Sequence, residues 1–249
     1  MRVMNAPAEL HPARWPYSVI GVMRHRLGTL ILVIGVGVLA WSATVYLWKD
    51  PFTTAYTAYE QRRLETKLDR QFEQWTPSPK PTKPVKNNVS PPRIADVSRE
   101  ARRYRLASEE GDAVARLEIP RLDLDAVIVN GTSSGDLRRG PGRHLETSMP
   151  GEGRLVYVAG HRTTYGAPFS AVDKLRPGDA IFLDLPYASL EYRVVSHRVV
   201  DDNDLSVLRS RNREELVLQA CHPRFLASDR YLVYAQPIRV NETKTATSS

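Results

Sequence analysis

From Leu27 to Leu47 the chain carries no charged residue for 21 positions, LGTLILVIGVGVLAWSATVYL. As a helix rising 1.5 Å per residue, such a run spans about 30 Å, the thickness of a bilayer's hydrocarbon core. A stretch that is apolar all round has no face to show to water, so it must be handled apart from any globular fold. Trp41, Tyr46 and Trp48 near its C-terminal end match an interfacial aromatic belt. Four arginines (Arg2, Arg14, Arg24, Arg26) precede it, and only Lys49, beside Asp50, follows directly. The positive-inside rule then puts residues 1–26 in the cytoplasm as a tail and residues 50–249 outside. A cleaved signal peptide has a shorter apolar core and a small-x-small site close behind it, and neither fits here. The expectation is a single-pass protein of the cell membrane, anchored by residues 27–47.

The net charge of +7 is unevenly spread. Residues 76–105 hold eight Lys/Arg against two acidic residues, whereas residues 106–249 hold 18 against 20. A nucleic-acid-binding domain carries its basic patch on the fold itself, so this distribution argues against that class. Residues 48–75 read as a polar juxtamembrane stalk helix, with Tyr56, Tyr59, Leu64, Leu68 and Phe72 at three-to-five spacing. The segment 76–105 opens with six prolines between Pro77 and Pro92, interleaved with lysines. Such composition is extended and semi-rigid, and it predicts a linker holding a domain off the membrane. The polar residues 241–249 are expected to form a frayed, disordered tail.

From about Ala113 the texture changes to short apolar runs separated by turn signals. Val114–Ile119, Ala126–Val129, Leu155–Ala159, Ala180–Leu185, Leu190–Val200, Leu216–Ala220 and Tyr231–Val240 each read as a strand. Seven or eight short strands with little helix predict an all-β barrel or sandwich over residues 106–240. That domain is expected to fold without the anchor, since the proline-rich stretch separates them. The last two strands are expected to pair as an antiparallel hairpin around a loop His222–Asp229. Cys221 would then close one strand and Arg230 open the next, with Cβ atoms about 4.5–5.5 Å apart.

Cys221 is the only cysteine. Outside the cell a lone cysteine signals intermolecular pairing or a reactive thiol rather than an intrachain disulfide. By period two it shares a face with Gln219 and not with Leu216, Leu218 and Ala220, which argues against a mere core role. A nucleophilic thiol needs a base or cationic partner. His11 and His25 fall on the cytoplasmic side, His197 inside a strand, and His144 in a loop. His161, at the end of the strand Leu155–Gly160, and His222 rank nearly level on residue chemistry alone.

The run Ala159-Gly-His-Arg-Thr-Thr-Tyr-Gly-Ala-Pro-Phe169, followed sixty residues after its histidine by Leu218-Gln-Ala-Cys221 and then Arg230, resembles a sortase. Gly140-Pro-Gly142, Pro150-Gly151 and Leu175-Arg-Pro-Gly-Asp179 match too, most closely the actinobacterial class E group. The likeness covers about Ala113–Val240. It implies the eight-stranded sortase β-barrel and a cysteine transpeptidase site of Cys221, His161 and Arg230. Thr163, Thr164 and Tyr165 are expected to line the substrate groove, with Ala220 and His222 beside them. Sortases commonly read Thr-Leu-x-Thr-Cys before the nucleophile; this chain reads Val217-Leu-Gln-Ala-Cys221, so any contact from that threonine hydroxyl is missing.

The implied partners are surface proteins bearing a sorting signal, an amine of a wall precursor or pilin, and the membrane through the single helix. No cofactor and no metal is expected. The cluster Asp201-Asp202-Asn203-Asp204 reads as a solvated turn rather than a calcium loop, because it lacks an EF-hand pattern. Two other readings compete. An L,D-transpeptidase-like wall cross-linker would place its histidine nearer a Ser-x-Gly-Cys-like run, which is absent. A catalytically silent β-barrel that only binds wall or partner protein leaves Cys221, His161 and Arg230 without a purpose.

Overall fold

The computed structural model describes residues 17–47, 51–78 and 94–241. The chain divides into two units at residue 48. In the first, helix α1 spans Tyr17–Leu47. Its Arg24–Ala43 portion has a mean hydropathy of 1.8 and buries none of its side chains. Among the described residues it is the one helix long and apolar enough to cross a membrane.

The second unit is a closed barrel of eight strands: β1 Ala113–Ile119, β2 Leu124–Asn130, β3 Gly142–Arg143, β4 Leu155–Ala159, β5 Ala180–Leu185, β6 Ala188–Asp201, β7 Glu215–His222 and β8 Asp229–Asn241. Around the barrel they run β1-β2-β3-β4-β7-β8-β6-β5. The expected all-β, eight-stranded barrel is therefore the observed fold. Pairings are antiparallel except β2 with β3 and β4 with β7, which are parallel. Strand β3 is only two residues long and carries no hydrophobic run, so no periodicity announces it.

Side-chain parity sorts the strands into two cores. Val156 and Val158 of β4, Leu216, Leu218 and Ala220 of β7, and Val233 and Ala235 of β8 fill the barrel. Their alternates Leu155, Tyr157, Val217, Leu232 and Tyr234 form a second cluster on the outer face, with Val207 and Leu208 packed against it. Strands β4, β7 and β8 share this outer face, and the site is built where the cover stops.

Helix α2, Pro51–Gln74, and helix α3, Ile94–Ala107, pack on the barrel. Leu64 and Leu68 of α2 are fully buried against Ala113, Val127 and Val129. The Gln61 side chain does for β2 what a neighbouring strand would do. Its Oε1 accepts from Val127 N–H at 2.7 Å, and its Nε2 donates to the Val127 and Arg139 carbonyls at 3.0 and 2.8 Å. A Cβ at position 140 would lie 2.2 Å from that Nε2, which is why Gly140 opens the Gly-Pro-Gly motif. Helix α4, Ser134–Arg139, follows a full capping box of Ser133 and Asp136.

Two expectations change here. Residues 94–105, assigned by composition to the linker, are helical, and Val97, Ala101 and Tyr104 are buried in the barrel's core cluster. Their i, i+4, i+7 stripe is apolar, but four arginines between positions 99 and 105 hide it in the composition. The other change concerns the hairpin loop, which runs from residue 223 to 228 because His222 and Asp229 still pair. Residues 79–93, the proline-rich part of the expected linker, and 242–249, the expected tail, lie outside the described residues.

The packing of α2 and α3 bears on the expectation that residues 106–249 fold without the anchor, because both helices share buried side chains with the barrel. Burying a leucine side chain contributes about 1.5–3 kcal/mol, so Leu64 and Leu68 together approach a typical domain's total of about 5–15 kcal/mol. A fragment beginning at residue 106 is expected to aggregate, and one beginning at Pro51 to melt in a single cooperative transition. Thermal unfolding followed by circular dichroism on both fragments checks this; equal melting of the two would detach the helices from the folding unit.

Candidate active site

Strand register brings the site together. Cys221 pairs with Arg230 across β7 and β8, as the hairpin reading expects. On the other side, β4 runs parallel to β7 with Ala159 opposite Gln219, and Gly160 N–H donates to the Gln219 carbonyl at 3.0 Å. Continuing that register by two residues sets His161 level with Cys221. Residues 157, 159 and 161, then 219 and 221, then 230 all take the outer-face parity. Adjacent strands lie about 4.7–4.9 Å apart, so the thiol stands between an imidazole and a guanidinium.

These three side chains line one cleft of about 270 Å³, with His144, Tyr157, Gln219, Thr132 and Leu137 completing its walls. Cys221 is free and half-buried. Arg230 is held by its own loop: Nη1 donates to the Ala227 carbonyl at 2.8 Å and the Asp229 carbonyl at 3.0 Å, and Nη2 lies 3.7 Å from Asp202. The neighbouring carboxylates are committed to local structure. Asp201 accepts from Asn203 N–H and Asp204 caps Leu205–Leu208 through Ser206 N–H.

The loop after β4 is clasped from below and behind. Phe169 is fully buried and its ring sits where a Cβ at position 160 would be, 2.6 Å away, so only glycine fits before the histidine. Tyr165, Gly166 and Ala167 all have positive φ, at 52°, 70° and 44°. Such a run persists only where its surroundings over-determine it. Here α2 supplies the constraint: Tyr165 N–H donates to Thr53 Oγ1 at 2.9 Å, and the methyl of Thr57 closes against Gly166. The Tyr165 ring packs tilted against His161, with centroids 5.1 Å apart and planes at 36°, and the Arg138 guanidinium lies over the Tyr165 ring at 5.6 Å. Burial, and then the Arg138 charge, hold the His161 pKa below the ordinary histidine value.

Arg138 therefore sets part of the proton affinity of His161. Removing a nearby positive charge raises a histidine's pKa. Arg138→Gln should move the His161 titration to higher pH, while Arg138→Lys, which keeps the charge, should leave it near its present position. An NMR titration of the His161 ring protons checks this, and a downward shift in Arg138→Gln would contradict it.

Other expected site residues fall elsewhere. Ala220 is fully buried in the barrel core, on the face opposite Cys221, so its side chain does not meet a substrate in the cleft. His222 is outside the cleft lining; its Nδ1 lies 3.1 Å from Arg162 Nη1. Thr163, Thr164 and Tyr165 are half-buried in the clasped loop rather than among the lining residues, and Tyr165 acts on the site through the His161 ring. His197 shares a 3.1 Å hydrogen bond with the Tyr231 hydroxyl inside the sheet.

Two residues gain roles that residue chemistry alone does not assign. Arg162 is buried, donates to the Cys221 carbonyl at 3.2 Å and pairs with Asp173 at 3.0 Å, so it ties the histidine's loop to the cysteine's strand. Its signal is the Gly160-His161-Arg162 run just past β4, where an arginine beside the end of an apolar strand needs a partner. His144 lines the cleft with its Nδ1 3.4 Å from Glu146 N–H, which turns Nε2 the other way.

A closed eight-stranded barrel thus gathers cysteine, histidine and arginine at one rim, the arrangement of a thiol enzyme. The model of the Sortase domain matches residues 117–238, and the chain belongs to the sortase family. Sortase D of Bacillus subtilis is 33% identical over 134 residues, a match covering 52% of this chain and 66% of that protein. Sortase SrtE1 of Streptomyces coelicolor is 32% identical over 146 residues, covering 52% of this chain and 42% of its own. The matches thus leave a third or more of each relative uncovered, and the likeness to an E-type sortase is equalled by that to a D-type. The crystal structure of Sortase E1 from Streptomyces coelicolor with tripeptide in the active site is 29% identical, with a TM-score of 0.51 over 56% of this chain and 96% of that one. A Clostridium perfringens Sortase D5 transpeptidase shares the fold, with a TM-score of 0.57 over 72% of this chain and 99% of that one at 22% identity.

Proposed function

We propose that this protein is a membrane-anchored cysteine transpeptidase that cleaves a C-terminal LPXTG- or LAXTG-like sorting signal after its threonine. The observation that carries this reading is the single cleft lined by Cys221, His161 and Arg230 at the common end of three neighbouring strands. Cys221 as thiolate attacks the threonine carbonyl carbon, and Arg230 faces the oxyanion that forms. The C–N bond breaks, His161 as imidazolium protonates the leaving amine, and a thioester remains on Cys221. An incoming amine then attacks the thioester, His161 as imidazole takes its proton, and the thiolate leaves. The acceptor is an amine of a wall precursor or a pilin subunit. Helix α1 holds the enzyme in the membrane, single-pass, with residues 1–26 cytoplasmic and the barrel outside.

Mass spectrometry of the full-length protein in detergent, with sorting-signal peptides and an amine nucleophile, tests the reading. The expected record is an acyl adduct on Cys221 that the amine converts to a ligated product. If no peptide acylates Cys221 while a thiol reagent still labels it, the chain is a binding module instead.

A further inference from the structure

A second cleft, of about 630 Å³, lies between α3 and the segment leading into β4. It is more than twice the volume of the catalytic cleft and within the range of small-ligand sites. Arg99, Arg102 and Arg105 of α3 and Arg154, just before β4, line it against two carboxylates, Glu146 and Glu152. The buried stripe Val97, Ala101 and Tyr104 fixes the rotation of α3 and so aims this flank at the cleft.

Only one of the four arginines is neutralised by the fold. Arg105 Nε lies 2.7 Å from Glu152 Oε1, an oxygen that also accepts from Met149 N–H at 2.9 Å. Arg99, Arg102 and Arg154 hold no ion pair or side-chain hydrogen bond among the described residues. Arg103, facing the other flank of the same helix, is satisfied in full: it binds Ser78 and the Thr76 carbonyl, pairs with Glu100 and stacks on Trp75. Arg99, Arg102 and Arg154 are exposed, so solvent screens their mutual repulsion, and their converging positive field attracts an anion into the cleft.

We propose that this cleft binds a phosphate-bearing ligand. The planar fork of a guanidinium matches phosphate oxygens in pairs, and three unpaired forks exceed what one carboxylate with a single charge can satisfy. A phosphate or diphosphate offers about two charges and at least three acceptor oxygens. Ser148 adds a hydroxyl to the wall. With α3 included, residues 94–249 hold 22 Lys/Arg against 22 Asp/Glu, and this neutral balance speaks against a nucleic acid as the source of that phosphate. Two sources fit the chemistry, a phospholipid headgroup and a soluble phosphate compound. The inference stands apart from the catalytic reading, since none of these residues lines the Cys221 cleft.

The test is arginine footprinting with phenylglyoxal on the full-length protein in lipid nanodiscs, read by peptide mass mapping. One arm uses phosphatidylcholine discs with inorganic pyrophosphate; the other uses discs containing phosphatidylglycerol without it. Adduct formation at Arg99, Arg102 and Arg154 should fall at least about fivefold in one arm, as expected at a ligand concentration several times Kd. Exposed Arg176 and Arg209 should react unchanged. Protection by pyrophosphate assigns a soluble phosphate, and protection by phosphatidylglycerol assigns a headgroup. Arg102→Glu, a surface change, should abolish the protection of Arg99 and Arg154. Unprotected arginines in both arms, or protection that survives Arg102→Glu, would overturn the proposal.

Discussion

Cys221→Ala is expected to leave no thioacyl-enzyme, and His161→Ala to slow single-turnover acylation by at least about a hundredfold. The second figure is the lower end of the 10²–10⁴-fold that positioned acid–base catalysis typically contributes. His161 earns this role through placement. It leaves β4 level with the nucleophile, on the same outer face, in a loop locked by Phe169 and α2. His222 is adjacent in sequence but engages Arg162, which keeps the Cys221 carbonyl and Asp173 as partners when the imidazole is removed. His222→Ala should therefore cost less than about tenfold, below the usual range for losing a general acid or base. Quenched-flow acylation of the three variants by a sorting-signal peptide is the measurement. A dead His222 variant beside a near-normal His161 variant would sink the assignment.

Arg230→Ala should lower the acylation rate by about 10²–10³, the usual loss when one oxyanion donor is removed. Because the interaction is made with charge that develops during attack, the loss should fall on kcat more than on KM. Arg230→Lys is expected to recover little of it. A single ammonium cannot hold the Ala227 and Asp229 carbonyls as the fork does and still present donors to the cleft. Labelling of Cys221 by a small thiol reagent should persist in both variants, showing an intact and reachable nucleophile. An Arg230→Ala enzyme with an ordinary kcat and a raised KM would instead make Arg230 a substrate-binding residue.

What was legible in the sequence is what short stretches decide by themselves. The apolar run of α1 follows from composition, because the 21 uncharged residues Leu27–Leu47 have few destinies in water. The β7–β8 hairpin follows from two strand-forming runs around the loop expected at His222–Asp229, and its pairing of Cys221 with Arg230 comes with the register. Seven of the eight strands announce themselves as apolar runs; β3, two residues long, does not.

The tertiary structure alone decided which helices belong to the barrel and what positions the histidine. The stripe on α3 and the leucines of α2 look like a charged linker and a polar stalk until a barrel surface exists to bury them. Arg162 pairs with Asp173 within the same β4–β5 connection, but its other acceptor is the carbonyl of Cys221, 59 residues on, brought beside it by the parallel pairing of β4 with β7. Local sequence sets dihedral preference and periodicity over a few residues, whereas a parallel pair or a clasp such as Thr53 on Tyr165 is closed across a long loop. The free energy that closes it comes from the whole core at once, which no single stretch of residues contains.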